Sequence, residues 1–444
     1  MIAIEKRLNQ YMSDWAAANR FCGTALIAQG DRLLLKKGYG YANVEHRVPH
    51  AEDTIFCIAS ITKQFTAAAV LQQVEQGKLR LEDRLESFLP EYKHSASVTL
   101  HQLLSSTSGV PDYTEVIEYS TRAHLSVETI IEWLNRRPLD FEPGQGVQKS
   151  NTNFVFLAKV VEKVTGLSLE EYFTEYLFKP AGLLHTGIYQ NEDVIPNRAY
   201  GYSYSGEGIV QAEYYDMSGA YGSGFLYSTA EDLFRWGRAL ASEASILSIN
   251  SYRAMITPYG YLPYLGVSMG YGCSVSGDPV DVVSVNGNIF GFTCSVHRYL
   301  EGDYSVILLS NNDAVPLGRI NEGIKSILFH LEPEVVIRPH PLLEVDYSSF
   351  AHLAGEYGFA PMGWRFAVSF EEGKLYLDRL FLQEAKRKKF QIHLVSDEPD
   401  RTVFSCEVCD TTVSFLKTTN QDDQSVLYRW DTLQIPYQRV SHPS

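Results

Sequence analysis

The sequence predicts an α/β domain whose sheet is built from both ends of the domain, followed by a small, barrel-like all-β domain. Strand-like runs occur near the amino terminus and return from about residue 267. Between them, short helical patterns alternate with loops rich in Gly, Pro, Ser and Tyr. We therefore place the first domain at residues 1–335, with a helical insertion at about 80–260, and the second at residues 345–444.

The first domain opens with a helical pattern and then two β-rich runs in "GTALIAQGDRLLLKKGYGYAN", where "QGD" predicts a hairpin turn. The next segment, "IASITKQFTAAAVLQQVEQGKL", has apolar residues at helical spacing and predicts a long helix ending near Gly77. Further helices are predicted in "SVETIIEWLNRR", "NFVFLAKVVEKVTG", "STAEDLFRWGRALAS" and "GRINEGIKSILFHL". Later strands are predicted in "VSMGYGCSV", "DVVSVNG", "GFTCSVHRYL" and "YSVILLSNN".

The second domain follows a Pro-rich stretch, "LEPEVVIRPHPLLEV" at 331–345, which predicts a linker. Beyond it, runs such as "FAVSFEEGKLYLD", "TVFSCEV" and "TVSFLKTT" predict successive strands separated by turns. Cys406 and Cys409 form a single CxxC motif without the second pair that a zinc site requires. We interpret them as two small residues on a strand.

Composition excludes several classes of protein. The 444 residues are 45% hydrophobic and 20% charged, as in ordinary globular proteins, and the net charge of −15 argues against a nucleic-acid partner. No apolar run is long enough to predict a membrane span, and no secretory signal is visible, so we expect a cytoplasmic protein. No motif predicts a metal or another cofactor, and the sequence leaves the oligomeric state open.

The strongest chemical motif is Ser60-Ile61-Thr62-Lys63 at the start of the long helix. Residues at i and i+3 lie on the same helix face, so Lys63 can reach the Ser60 hydroxyl. A serine is a useful nucleophile only when a base removes its proton, and a desolvated lysine can be neutral enough to do so. The unpaired N–H groups of the helix start can stabilise a developing oxyanion.

The surrounding segments, "FCIASITKQFTAAAVLQQVEQGKLRLEDRLESFLPEY" and "TLHQLLSSTSGVPDY", resemble the serine β-lactamase/penicillin-binding-protein-like superfamily, in particular its class C-like branch of hydrolases. The resemblance runs from about residue 20 to 330 and implies a sandwich of an antiparallel sheet flanked by helices, with a helical domain. The C-terminal domain resembles the lipocalin-like tail of some members.

This resemblance assigns roles to particular residues. The first motif is intact as Ser60 and Lys63, whereas the second has Lys149 in place of its usual tyrosine and keeps Asn151. In the third motif, Val285 replaces the usual basic residue, which disfavours a substrate carboxylate at that position. The resemblance also implies an oxyanion hole from the Ser60 N–H and the Asn288 N–H. The preceding glycine, Gly287, would leave room for close approach of a substrate.

Two hypotheses concern Lys149. Two ammonium groups close together titrate as a unit, so one of Lys63 and Lys149 would be neutral near neutral pH and could relay a proton. Alternatively, the catalytic base has been lost, naturally or by deliberate mutation, and Lys149 points to solvent.

From these residues we predict a serine acyl-transfer enzyme acting on small-molecule or peptidic esters or amides through an acyl-enzyme on Ser60. The candidate site comprises Ser60, Lys63, Lys149, Asn151, Val285, Gly287 and Asn288. The alternative is an impaired or inactive relative that binds a ligand at the same place.

Overall fold

The computed structural model describes residues 3–116, 118–205, 208–242, 246–277, 280–331, 343, 345–359, 364–379, 388–406, 411–417, 425–430 and 433–440. Its α-helices are α1 (Ile4–Ala17), α2 (Thr62–Glu75), α3 (Leu100–Leu104), α4 (Val127–Leu134), α5 (Asn151–Thr165), α6 (Leu169–Phe173), α7 (Ala230–Ala241), α8 (Ile249–Met255) and α9 (Leu317–Leu328).

The strands of the first part of the chain are β1 (Gly23–Gln29), β2 (Arg32–Tyr39), β3 (Tyr41–Asn43), β4 (Val48–Pro49), β5 (Phe56–Cys57), β6 (Gly187–Ile188), β7 (Tyr202–Ser205), β8 (Gly208–Gln211), β9 (Leu226–Ser228), β10 (Gly260–Leu262), β11 (Val267–Met269), β12 (Ser274–Ser276), β13 (Val282–Ile289), β14 (Phe292–Tyr299) and β15 (Tyr304–Ser310). Those of the carboxyl-terminal part are β16 (Gly355–Phe359), β17 (Trp364–Glu371), β18 (Lys374–Arg379), β19 (Lys388–Asp397), β20 (Arg401–Cys406), β21 (Thr411–Leu416), β22 (Ser425–Trp430) and β23 (Leu433–Arg439).

The larger of two compact units holds the mixed α/β part of the fold and comprises residues 22–201 and 214–313. Its main sheet has the order β10-β11-β12-β13-β14-β15-β1-β2, and every neighbouring pair is antiparallel. The prediction that both ends of the first domain build one sheet is therefore confirmed. β1 lies between β15 and β2, and all of its residues except the last are buried, as expected for an interior strand.

The central helix of this unit is α2, which is buried on nearly all sides. Phe65 stacks on Trp236 of α7 with ring centroids 4.0 Å apart, and the Trp236 indole donates to Gln64 Oε1 at 2.9 Å. α5 packs against α2 elsewhere. Small residues at 67–69 allow this close packing, so the predicted long helix is the core of the unit rather than a surface helix.

The smaller unit comprises residues 1–21, 202–213 and 314–444. Its closed barrel runs β16-β17-β18-β19-β20-β21-β22-β23, which confirms the predicted barrel-like fold. Its core is filled by apolar side chains that include Tyr357, Phe366, Leu375, Ile392, Phe404, Val413, Val426 and Tyr437. A turn of 3₁₀ helix, Tyr347–Leu353, adds Phe350, whose ring lies 5.4 Å from that of Phe404.

These units do not coincide with the predicted domain limits, since α1, α9 and the β7–β8 hairpin are grouped with the barrel. The division at 335 and 345 therefore stays a prediction. Most of the predicted linker at 331–345 lies outside the described residues, as does Cys409, whereas Cys406 is buried on β20. Within the described residues, no helix is both long enough and apolar enough to span a membrane.

A buried histidine helps to hold the larger unit together. Asn311 Nδ2 donates to the carbonyls of Tyr41 and Tyr200, so its Oδ1 is the acceptor for His50 Nε2 at 3.0 Å. His50 is therefore the neutral Nε2–H tautomer, and its buried Nδ1 has no hydrogen-bond partner in the described part of the chain. Burial lowers the pKa of His50 to about 4, because a proton on Nδ1 would create a buried charge with no acceptor.

We expect His50 to make the protein less stable in mild acid. Its folded pKa lies below its unfolded value, so stabilisation is complete above the unfolded pKa and is lost as pH falls toward the folded one. Between about pH 7.5 and about pH 5, wild type should lose about 2 kcal/mol more unfolding free energy than His50→Gln, which can still donate to Asn311. Equilibrium denaturant titrations measure this, and equal losses in both proteins would contradict it.

Candidate active site

Ser60 lies in a 3₁₀ turn, Ala59–Ile61, that leads directly into α2. The preceding residue, Ala59, is buried with φ of 46°, a left-handed conformation that an alanine adopts at an energetic cost. The Ser60 side chain itself is only partly covered. The fold therefore tolerates a strained backbone at Ala59, which places the Ser60 hydroxyl at the accessible start of the buried helix α2.

Lys63 is held by oxygens from three segments of the chain. Its Nζ donates to Ser60 Oγ at 2.8 Å, to Asn151 Oδ1 at 2.8 Å and to the Ser223 carbonyl at 3.1 Å. The Nζ also lies 5.8 Å from the centroid of the Phe154 ring. The predicted approach of Lys63 to Ser60 is thus present, in a fixed geometry.

Asn151 is the first residue of α5 and is itself oriented by Asp112. Asp112 Oδ2 accepts the Asn151 backbone N–H at 2.8 Å and the side-chain Nδ2 at 2.9 Å. Because Nδ2 is engaged there, Oδ1 must face Lys63. Asp112 is buried, so this carboxylate fixes both the start of α5 and the rotamer of Asn151.

The electrostatics of the site favour a neutral amine on Lys63. Burial, opposed by the Asp112 carboxylate and reinforced by the Lys149 ammonium, lowers the pKa of Lys63 to about 7. About half of the molecules therefore carry a lysine that can accept a proton near neutral pH.

Lys149 lies two residues before Asn151, and its side chain is exposed. Its ammonium is nevertheless near enough to act on Lys63, and the surrounding protein lowers the pKa of Lys149 as well. Lys149 therefore acts on Lys63 as a positive charge that disfavours protonation of its amine.

β13 lies against the Ser60 turn through Gly287. A Cβ atom at Gly287 would lie 2.3 Å from the Ile58 carbonyl oxygen and 3.1 Å from the Ser60 nitrogen. The glycine therefore permits close packing of two backbones, rather than only leaving room for a substrate as expected. Val285 is buried and Asn288 is exposed on the same strand.

Sequence reasoning missed two contributors to this site. Asp112 stands in the quoted segment "GVPDY", where a Pro-Asp pair before a turn indicates only a cap. Ser223 contributes a backbone carbonyl, for which its side chain gives no indication. Tyr113, which follows Asp112 in the chain, is buried and donates to the Gly219 carbonyl.

A cavity elsewhere in the larger unit does not contain this chemistry. A cavity of about 410 Å³ is lined by Glu170, Thr174, Thr186, Gly187, Ile188, Asp193, Val194, Ile195, Pro196 and Tyr227, and contains none of the predicted site residues. In the part of the chain that the structure describes, no group of three His, Cys, Asp or Glu side chains is arranged to hold a metal ion. The Ser60–Lys63–Asn151 arrangement is suited to acyl transfer by a hydroxyl nucleophile.

Comparisons with known proteins identify the relatives of this chain. A family model described as Beta-lactamase matches residues 6–326. A putative penicillin-binding protein, PbpX, of Bacillus subtilis (strain 168) is 30% identical over 72% of this chain and 78% of its own length. A second penicillin-binding protein of that strain is 29% identical over 90% of this chain and 94% of its own. The structure of an octameric penicillin-binding protein homologue from Pyrococcus abyssi has a TM-score of 0.66 at 24% identity, covering 97% of this chain and 99% of that one.

The contact between β13 and the Ser60 turn yields a testable expectation. Gly287→Ala should lower the unfolding free energy by roughly 1–3 kcal/mol, the usual cost of overpacking, because its methyl group meets the rigid Ile58 carbonyl. Gly237→Ala in α7 is the control, since no atom lies within 4 Å of its new methyl group. That change should be neutral or stabilising by up to about 1 kcal/mol. Denaturant unfolding of both variants provides the measurement, and equal stability would refute the packing argument.

Proposed function

The chain belongs to the Beta-lactamase family, and from this premise we propose that it is a serine acyl-transfer enzyme working through an acyl-enzyme on Ser60. Its substrates would be esters or amides of small molecules or peptides, and the acyl group would pass to water or to another acceptor. The observation that carries the proposal is the 2.8 Å hydrogen bond between Lys63 Nζ and Ser60 Oγ.

In the proposed reaction, neutral Lys63 takes the Ser60 proton while Ser60 Oγ attacks the carbonyl carbon of the substrate. The resulting ammonium then gives its proton to the leaving alcohol or amine as the carbon–oxygen or carbon–nitrogen bond breaks. Asn151 Oδ1 and the Ser223 carbonyl hold the amine in position through both steps. Water or an acceptor attacks the acyl-enzyme next and restores the Ser60 hydroxyl.

The oxyanion of each tetrahedral intermediate would accept hydrogen bonds from the Ser60 N–H and the Asn288 N–H. The packing of Gly287 against the Ser60 nitrogen supports this pairing, because it brings the two backbones together. A preorganised donor of this kind contributes roughly 10²–10³-fold to turnover.

The proposed class of substrate, an ester or amide with an extended acyl chain, is supported by an edge of β13 that β12 covers only in part. β12 pairs with β13 only as far as Ser284, so within the described residues 285–289 have a strand neighbour only in β14. An extended acyl chain could pair with this edge. Val285 offers no cation there, which favours a neutral group at that position. Two relatives are named penicillin-binding proteins, and since penicillin is a cyclic amide, their names support a site for an acyl group.

Lys149 would act mainly on the charge of Lys63. Its positive charge lowers the pKa of Lys63 and so favours the neutral amine there. The alternative function is a ligand-binding protein with impaired catalysis, which the changes at Lys149 and Val285 favour. Turnover and covalent labelling separate the two.

We expect a fluorophosphonate reagent to modify Ser60 in the wild-type protein, because the site activates this hydroxyl toward electrophiles. Intact-protein mass spectrometry should find one adduct in wild type and in Ser97→Ala, whose serine lies in a distant exposed turn, and none in Ser60→Ala. Absence of the wild-type adduct, under conditions that label a known serine esterase, would reject the catalytic proposal.

We expect removal of the Lys149 charge to move the pH dependence of catalysis. Because Lys149 lowers the pKa of Lys63, the rise of kcat/KM with pH should shift upward by about one unit in Lys149→Met and Lys149→Tyr. Hydrolysis of a p-nitrophenyl ester across the pH range measures the shift. Lys159→Met, which removes an ion-paired lysine from α5, the helix that follows Lys149, should leave the profile in place.

The maximal rate of ester hydrolysis that Lys149→Tyr reaches in its pH profile separates the two hypotheses for this residue. If Lys149 takes part in the native reaction, turnover of the ester should fall. If the natural relay has been lost, the tyrosine should raise turnover by roughly 10²–10⁴-fold. Superimposable wild-type, Met and Tyr profiles would mean that Lys149 has no part in catalysis.

A further inference from the structure

Lys149 differs in its contacts from the lysines of α5. No hydrogen bond or ion pair joins it to any of the described residues, although neighbouring lysines on α5 are paired. Lys159 Nζ lies 3.2 Å from Glu162 and Lys163 Nζ lies 3.5 Å from Glu91. The difference is notable in a chain of net charge −15, where acidic side chains are plentiful.

The backbone directs Lys149 to the same side as the catalytic groups. Ser150 is extended, with φ of −135° and ψ of 125°, so residues 149 and 151 project to one side and Ser150 to the other. Asn151 reaches Lys63 on that side, at 2.8 Å, while the Ser150 side chain is buried. The exposed Lys149 ammonium is also near enough to Lys63 to lower the pKa of its amine.

An ammonium that lies near a second amine without an anionic partner is electrostatically unfavourable, and an anion that binds to it relieves that repulsion. Asp112 is engaged elsewhere, because its Oδ2 accepts both donors of Asn151 and its Oδ1 accepts from Thr114. Asp140 and Glu115 lie near Asp112, but neither forms an ion pair with Lys149 among the described residues. β13 does not supply a cation that could bind the same anion. Its residue closest to the Ser60 turn is Gly287, and Val285 is buried.

We propose that Lys149 determines specificity by binding a carboxylate on the acyl part of the substrate, held on the α5 side of the site. This inference rests on the proposed acyl-transfer function and adds the substrate class, an ester or amide of a dicarboxylic acid or of another acid that carries a second anionic group. The position occupied by valine on β13 would then face a neutral part of the same substrate.

The test compares two esters that differ in one charge. The p-nitrophenyl monoester of glutaric acid and p-nitrophenyl valerate have acyl chains of equal length, and only the first carries a carboxylate. Because both esters use the same nucleophile and base, a change in the Lys63 pKa alters both rates alike. The ratio of their kcat/KM values therefore isolates recognition of the anion.

We expect wild type to prefer the glutarate ester and Lys149→Met to lose roughly 10- to 100-fold of that preference, the range of a charged hydrogen bond. Lys149→Arg should keep most of it, and Lys159→Met all of it. Raised salt should lower the wild-type preference, because an accessible ion pair is screened. An equal ratio in wild type and Lys149→Met would overturn the proposal.

Binding without turnover keeps this test separate from that of the proposed function. In Ser60→Ala, calorimetry with glutaranilic acid and with valeranilide should give a preference for the anionic amide that Lys149→Met removes. If calorimetry finds this preference but fluorophosphonate does not label the wild-type protein, catalysis is rejected and anion recognition is upheld. Labelling of Ser60 without any preference for the anion would do the reverse.

Discussion

Lys63 emerges from the first turn of a helix that is buried on nearly every side, and its ammonium is held by oxygens from three separate segments of the chain. A lysine in this position has little water to solvate its charge, so protein oxygens must replace that water. The Ser60 hydroxyl, the Asn151 amide and the Ser223 carbonyl do so. The same geometry that satisfies the amine directs it at the hydroxyl it is proposed to deprotonate.

Several backbone features exist to bring those oxygens together. Ala59 adopts a left-handed conformation immediately before Ser60, and Gly287 lets β13 pack on the Ser60 turn. Gly222 has φ of 65°, and a Cβ atom there would lie 2.3 Å from the Cβ of Ala158 on α5. Its lack of a side chain lets the following carbonyl, that of Ser223, reach Lys63. Close backbone approach, rather than a large set of polar side chains, builds the site.

The distribution of positive charge departs from the pattern that the resemblance implies. Val285 removes a cation from the β13 side, and Lys149 adds one beside the start of α5. An ammonium next to Lys63 has two physical effects at once, since it lowers the pKa of the base and offers a partner to an anion. One substitution can thus change both the working pH and the preferred substrate of a serine acyl-transfer site.

The sequence alone determined the elements and the chemical type of the site. The periodicities of "FTAAAVLQQV" and "NFVFLAKVV" and the alternating C-terminal runs are local properties, so α2, α5 and the barrel strands could be predicted. Ser60 and Lys63 could be paired because one helical turn separates them. The tertiary structure alone decided that Asp112 orients Asn151 and that Ser223 holds Lys63. Every residue has a carbonyl and many have carboxylates, so only the packing of distant segments selects the ones that reach a buried amine. It likewise decided that Lys149 lies near Lys63 with no hydrogen-bond or ion-pair partner among the described residues, since the energy of a charge depends on neighbours that the local sequence does not specify.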